Sequence, residues 1–237
     1  MRISQPDAPN APVKAATALT LVIQEYQIKA DEFHKKALAF RTATLEEKNR
    51  LQKEWQEAKE YLDSLRMKID TLAALEDGLA QYRTELGIYD SEERLAKMRT
   101  EKHHPTTVLR KNLIADRDPP PTADHVAHHI IMGKGRWRKR EMTRVRLRLF
   151  DCNVRINDPR NGVWLHPDVV KHWATPDSPI HNPLHGFNYE TWVITNMKLT
   201  LADEMFLNAL KELKNQLKGG GYPKEILQPK KADWNGL

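Results

Sequence analysis

At 237 residues, 40% apolar and 30% charged, the chain reads as a soluble protein of one large domain or two small ones. No apolar run approaches the ~20 residues a membrane-spanning helix needs. The polar segment Met1 to Lys14 lacks the apolar centre of an export signal, and the lone Cys152 excludes an internal disulfide or a multi-cysteine zinc site. The net charge of +6 is unevenly spread: residues 1–100 carry 16 Lys and Arg against 17 Asp and Glu, whereas residues 101–237 carry 22 against 15.

From about Pro12 to Arg99 the pattern is helical. A first helix, roughly Val13 to Phe40, carries Leu19, Val22, Ile23, Tyr26, Phe33 and Ala37. Thr44 followed by Glu47 is a capping-box signature, which predicts a new helix and hence a helical hairpin. Leu51, Trp55, Ala58, Leu62, Leu65, Ile69 and Leu72 then alternate gaps of four and three, a heptad seam on which Trp55, and further along Tyr82, read as core. The seam loses its phase after Leu72, so a break is expected near Asp77-Gly78. A short helix is expected from Ser91. Residues 1–101 are thus a helical coiled-coil or docking region. Lys102 to Thr122, with His103-His104-Pro105 and Pro119-Pro120-Pro121, reads as a linker over 102–122.

The second domain, 123–218, opens with a strand from about His125 to Met132 containing His128 and His129. Neighbouring side chains of a strand point to opposite faces, so one of these imidazoles is placed to ligate an ion and the other to act as a base. A glycine-bearing turn follows, then a helix from Arg138 to Leu149. Between Lys134 and Arg160 ten basic residues face only Glu141, Asp151 and Asp158, a density that suits a phosphate backbone, and Trp137 among them is fit either to stack on a base or to anchor the loop. Asp158 to Gly162 is a turn, and Val163-Trp164-Leu165 is a short strand. His181 and His185, four apart, lie on one face if the segment is helical and can hold one ion from one side. His125, His166 and His172 read as surface or loop residues, and Tyr189 and Trp192 as core. Helix is expected over most of His185 to Gln216, and 219–237, opening with three glycines, reads as a tail.

The ordered set Ala127-His128-His129-Ile130-Ile131, the basic helix, Ile156-Asn157-Asp158, Asn161-Gly162-Val163-Trp164-Leu165 and His181-Asn182-Pro183-Leu184-His185 with Tyr189 resembles the AHH family of HNH/endonuclease VII-type nucleases over roughly residues 123 to 200. The resemblance implies an α+β chain in which the N-terminal helices precede a small ββα-metal domain, a β-hairpin followed by a helix. It implies His129 as general base, His128, His181 and His185 as ligands of one divalent cation (Mg²⁺, Mn²⁺, Ni²⁺ or Zn²⁺), and Asn161 as the residue that ties the loop and orients the base. Pro183 between the two downstream histidines departs from a helical ligand pair. Proline is comfortable only in the first turn, so His181 is expected at a helix cap and His185 inside.

With Lys134, Arg136, Arg138, Lys139, Arg140, Arg144 and Arg148 as phosphate contacts, the expected activity is a low-specificity DNase. The rivals are an RNase or structure-specific nuclease using the same site, and a non-catalytic helical protein that binds nucleic acid. Members of the family are mostly toxin domains. The polar segment Met1 to Lys14 implies synthesis in the producer's cytoplasm without a signal peptide, and the resemblance implies delivery by a specialised secretion system and an acidic immunity protein. A secretion adaptor or a second copy would engage the N-terminal helices.

Overall fold

The computed structural model describes residues 17–230 and 233–237, so the start of the first expected helix and the segment Met1 to Lys14 lie outside the described residues. The chain divides into two compact units, 1–74 and 75–237. Among the described residues no helix is long and apolar enough to cross a membrane.

The first unit is the expected hairpin. Helix α1, Ala18–Thr42, starts at Thr17, whose hydroxyl accepts the Thr20 amide at 2.9 Å. Helix α2, Leu45–Thr84, starts with the capping box: Glu47 accepts the Thr44 amide at 3.0 Å, and Thr44 Oγ1 accepts the Glu47 amide at 3.4 Å. Phe33 stacks on Trp55 at 5.4 Å, and Tyr61 donates to Glu25. Val22 and Leu65 are buried. The break expected near Gly78 is absent, because α2 runs on to Thr84. Within the second unit, Leu75, Leu79 and Tyr82 pack around Ala115, and this burial holds the helix through its glycine.

The division at residue 75 places α2's last turns, the expected third helix and the expected linker in the same unit as the histidine strand. Helix α3, Ser91–Thr100, is capped by Asp90, which accepts two amides at 2.9 Å. The stretch read as linker contains α4, Thr107–Ala115, where Leu109 and Leu113, one turn apart, are fully buried against Ala127 and Trp164. Flanking prolines and a helix of only nine residues concealed this face.

Strand β1, Val126–His129, pairs antiparallel with β2, Gly162–Leu165, in the register Ala127 to Trp164 and His128 to Val163. These strands are not joined by a tight hairpin turn, since the connection holds helix α5, Lys139–Asp151. Gly162 matters because a Cβ there would stand 2.7 Å from Leu109, so its absence lets α4 lie on the strand. Met142, Val145 and Leu149 of α5 join Ile130, Ile131 and Val163 in the main core. Helices α6, Phe187–Asn196, and α7, Asp203–Gly219, complete it through Tyr189, Trp192, Phe206 and Leu210. The expected tail is part of this core: Ile226 is fully buried, and Asn188 donates to the carbonyls of Glu225 at 2.8 Å and Pro229 at 3.0 Å. Among the described residues the result is α+β, mostly helical with one two-stranded sheet.

Candidate active site

Strand alternation separates the two histidines as the sequence predicts. His128 faces His181, His185 and Tyr189, whereas His129 faces Asn157, His103 and His104. Both open onto one cavity of about 700 Å³. His181 is the N-terminal cap of a 3-10 turn, Asn182–His185, whose first turn accommodates Pro183. The tightness of that turn replaces the expected α-helical spacing, and its two imidazoles stand 4.7 Å apart, edge to face.

One nitrogen from each of His128, His181 and His185 lies within 4.8 Å of the others. The hydrogen bonds fix which nitrogen His128 offers. The Tyr189 hydroxyl donates its only proton to the Ile130 carbonyl at 3.1 Å, so at its 3.2 Å contact with His128 Nε2 it accepts. His128 is therefore protonated on Nε2, and its Nδ1 lone pair is free for a cation, with a phenol behind it in the manner of metal-binding histidines. Burial, then the neighbouring imidazoles, push the His128 pKa well below its ordinary value, and burial brings His181 down to about 4. His185 is lowered too, chiefly by burial. Three neutral imidazoles with free lone pairs are a donor set that fits a divalent cation and leaves coordination positions for other ligands.

The same accounting applies to His129. Asn157 Nδ2 donates to Glu101 Oε1 at 2.7 Å and to the Lys102 carbonyl at 2.9 Å, so Asn157 Oδ1 is the acceptor for His129 Nε2 at 3.0 Å. His129 Nδ1 is left as the basic atom. Burial holds the His129 pKa down to about 4, against the opposing effect of the Asn157 hydrogen bond, so the ring is neutral near pH 7 with the Nδ1 lone pair unprotonated. Glu101 is itself held by Tyr82 Oη at 2.7 Å and Arg155 Nε at 2.7 Å, and the Asn157 amide donates to Tyr82 Oη at 3.1 Å.

Asn161 takes a different place from the one expected. Its amide accepts from Ile131 N at 2.8 Å and donates to the carbonyls of Ile131 at 3.1 Å and Ile156 at 3.0 Å. It ties the two ends of the site together, and the side chain in contact with His129 is Asn157. His103 and His104, read as linker, line the cavity and stand edge-on to His129, each 6.0 Å from it. Gly133 makes room for His103, since a Cβ there would fall 2.0 Å from His103 Nε2. Only the adjacency of two histidines signalled them in the sequence.

His125 and His172 are buried rather than on the surface. With His166 they form a knot that is already hydrogen-bonded: His125 bonds Thr122 and Thr175, His166 Nδ1 accepts the Asp168 and Val169 amides, and His172 Nδ1 accepts the Ala174 amide. An imidazole accepting on Nδ1 carries its proton on Nε2, so this cluster offers no cation site.

The expected phosphate contacts separate into two groups. Lys134, Arg136 and Lys139 are exposed and line the cavity, and Arg140 and Arg144 are exposed outside it. Arg138 and Arg148 are half-buried and paired with Glu141 and Asp203. The turn before α5 is pinned by the fully buried Glu190, whose carboxylate accepts the amides of Arg136, Trp137 and Arg138. The Trp137 indole anchors on the His185 carbonyl at 3.2 Å while staying mostly exposed.

Residues 109–219, a little under half of the chain, match a nuclease family of the HNH/ENDO VII superfamily with conserved AHH, here Ala127-His128-His129. This segment is similar to that nuclease family. No curated protein and no solved structure matches the chain. The AHH segment leaves out Tyr82, Glu101, His103 and His104, which stand in the same compact unit as the strand they support.

Proposed function

We propose that the protein is a metal-dependent endonuclease of low sequence specificity that hydrolyses DNA, with His129 as general base and His128, His181 and His185 as the cation's ligands. The observation that carries this reading is the split of two adjacent histidines. One joins two other imidazoles with its lone pair free, and the next holds a basic nitrogen over the same cavity. A divalent cation bound there supplies Lewis-acid stabilisation of charge on the phosphate oxygens.

The chain's own groups do the rest. His129 Nδ1 takes a proton from a water attacking phosphorus in line with the leaving oxygen, and Asn157 with Glu101 behind it stabilises the imidazolium that forms. Lys134, Arg136 and Lys139 hold the substrate by its phosphates, contacts that carry no sequence information. Because water is the nucleophile in this reading, no ribose 2′-hydroxyl is needed, and DNA is a competent substrate.

The reading extends to biology. The nuclease acts as an antibacterial toxin, delivered by a specialised secretion system and neutralised in the producer by an acidic immunity protein that covers the basic face. The helical hairpin of the first unit serves as the docking or self-association element. Supporting the toxin role is the exposed cationic face of α5, which suits an acidic protein as well as DNA.

The test is digestion of plasmid DNA, total RNA and transfer RNA side by side with Mg²⁺, Mn²⁺, Ni²⁺ and Zn²⁺ and with EDTA. The expected result is DNA cleavage that EDTA abolishes. Intact DNA under every cation contradicts the reading, and cleavage of RNA alone moves it to the RNase alternative.

A further inference from the structure

Beside the cavity over the histidines lies a second pocket of about 450 Å³. The two share His103, His104, Gly133 and Lys134 in their walls, so they are contiguous. The second pocket is walled by Arg99, Lys102, Lys134 and Arg146, with Glu101 as its only acidic residue. That carboxylate is spent: both oxygens are engaged by Tyr82, Asn157 and Arg155.

Arg146 is the unusual member. Arg83, Arg138, Arg148, Arg155 and Arg160 each pair with a carboxylate, whereas Arg146 pairs with none among the described residues. Its Nε is buried without a hydrogen-bond partner. Burial, and then the like charge of Arg99, push its pKa down, with no acidic neighbour to oppose them. A half-buried guanidinium held near a second guanidinium and two ammonium groups is costly unless an anion joins them. Planar donors on Arg146 match the oxygens of a phosphate.

We propose that Arg146, with Arg99, Lys102 and Lys134, forms a second phosphate subsite that takes a backbone phosphodiester next to the one being cleaved. The proposal rests on the nuclease reading for the identity of the polymer. It adds a site built mostly from residues 99–134 and reached along the same strand, so that the enzyme grips two phosphates while working on one. A substrate with a single phosphate engages only the cavity over the histidines.

The experiment compares the full-length protein with Arg146→Gln and Arg146→Lys on two substrates, a ten-nucleotide single strand and bis(4-nitrophenyl) phosphate, a diester without neighbours. Losing one charge-assisted contact is expected to raise KM for the oligonucleotide about tenfold in Arg146→Gln with kcat unchanged, and less in Arg146→Lys, which keeps the charge but not the fork. Turnover of the small diester stays at the wild-type level. In EDTA, where nothing is cleaved, the salt slope of oligonucleotide binding falls by about 0.7, the loss of one contact to a single strand.

The melting temperature of Arg146→Gln is unchanged or raised, since an unpaired charge has been removed. Equal effects on both substrates, or no change in the salt slope, overturn the proposal. An effect seen only with 5′-phosphorylated oligonucleotides overturns it too, because the ligand is then a terminal monoester. The binding arm needs no catalysis, so it decides the subsite even if the chain cleaves nothing.

Discussion

Asn157 Oδ1 stands 3.0 Å from His129 Nε2, and this contact sets the tautomer of the imidazole. The proton on Nε2 leaves Nδ1 as the only basic atom of the ring, which is the atom the proposed base would use. Asn157→Ala is expected to lower kcat by about 10²-fold, the lower end of what general-base help contributes, with KM nearly unchanged. Steady-state kinetics beside a melting curve separate this from unfolding. A shift in KM with kcat intact would show that Asn157 does not orient the base.

Tyr189 stands behind His128 as Asn157 does behind His129. Tyr189→Phe leaves the His128 Nε2 proton and the Ile130 carbonyl without a partner. Cation affinity should fall about 10- to 100-fold, the usual effect of removing a group behind a metal ligand. Stability should fall by about 1–3 kcal/mol, the cost of unsatisfied buried polar atoms. Calorimetric titration with Zn²⁺ or Mn²⁺ measures the first and chemical denaturation the second.

The buried histidines make stability depend on pH in a definite direction. His129 and His181 titrate near 4 in the folded chain against an ordinary value of 6.5, so the unfolded chain binds protons that the folded chain refuses between these values. Their contribution to stability is complete above pH 6.5 and is lost as pH falls toward 4. In EDTA the melting temperature should therefore drop over that window, and His129→Gln should flatten the drop. A melting temperature constant from pH 7 to 4.5 would contradict the buried, neutral imidazoles.

The two groups of basic side chains should respond differently. Lys139 is exposed on the cavity rim without an ion pair among the described residues, whereas Arg148 bonds Asp203 at 2.6 Å and the Leu201 carbonyl at 2.9 Å. Lys139→Gln should weaken DNA binding and reduce its salt slope by about 0.9 with no loss of stability. Arg148→Gln should cost about 1 kcal/mol of stability and leave the salt slope alone. Fluorescence anisotropy across a salt series, read with melting curves, compares them.

Much of this arrangement was legible in the sequence for physical reasons. A strand of alternating faces divides His128 from His129 whatever lies around it, and a proline between His181 and His185 forces a tight first turn. Thr44 with Glu47 reports a helix start because capping is local. What escaped was long-range. Glu101 reaches Asn157 across 56 positions, and neither residue's neighbours announce the contact. His103 and His104 sit in a proline-bearing stretch whose polarity suggests solvent, and only the packing of Leu109 and Leu113 on β1 and β2 brings that stretch to the site. Asn161 drew the orienting role by its place in a pattern, but its amide is used up by the backbone of Ile131 and Ile156.

The most direct test of the whole account sets metal binding against cleavage in His129→Ala. Titrating Co²⁺ into wild-type and variant protein and following its visible absorption reports the ligand set, while nicking of supercoiled plasmid under the same conditions reports the base. The account predicts the same Co²⁺ spectrum and affinity in both proteins, with nicking slowed by about 10²- to 10⁴-fold in the variant. Wild-type nicking by His129→Ala, or loss of the Co²⁺ spectrum in it, would contradict the division of labour between the two adjacent histidines.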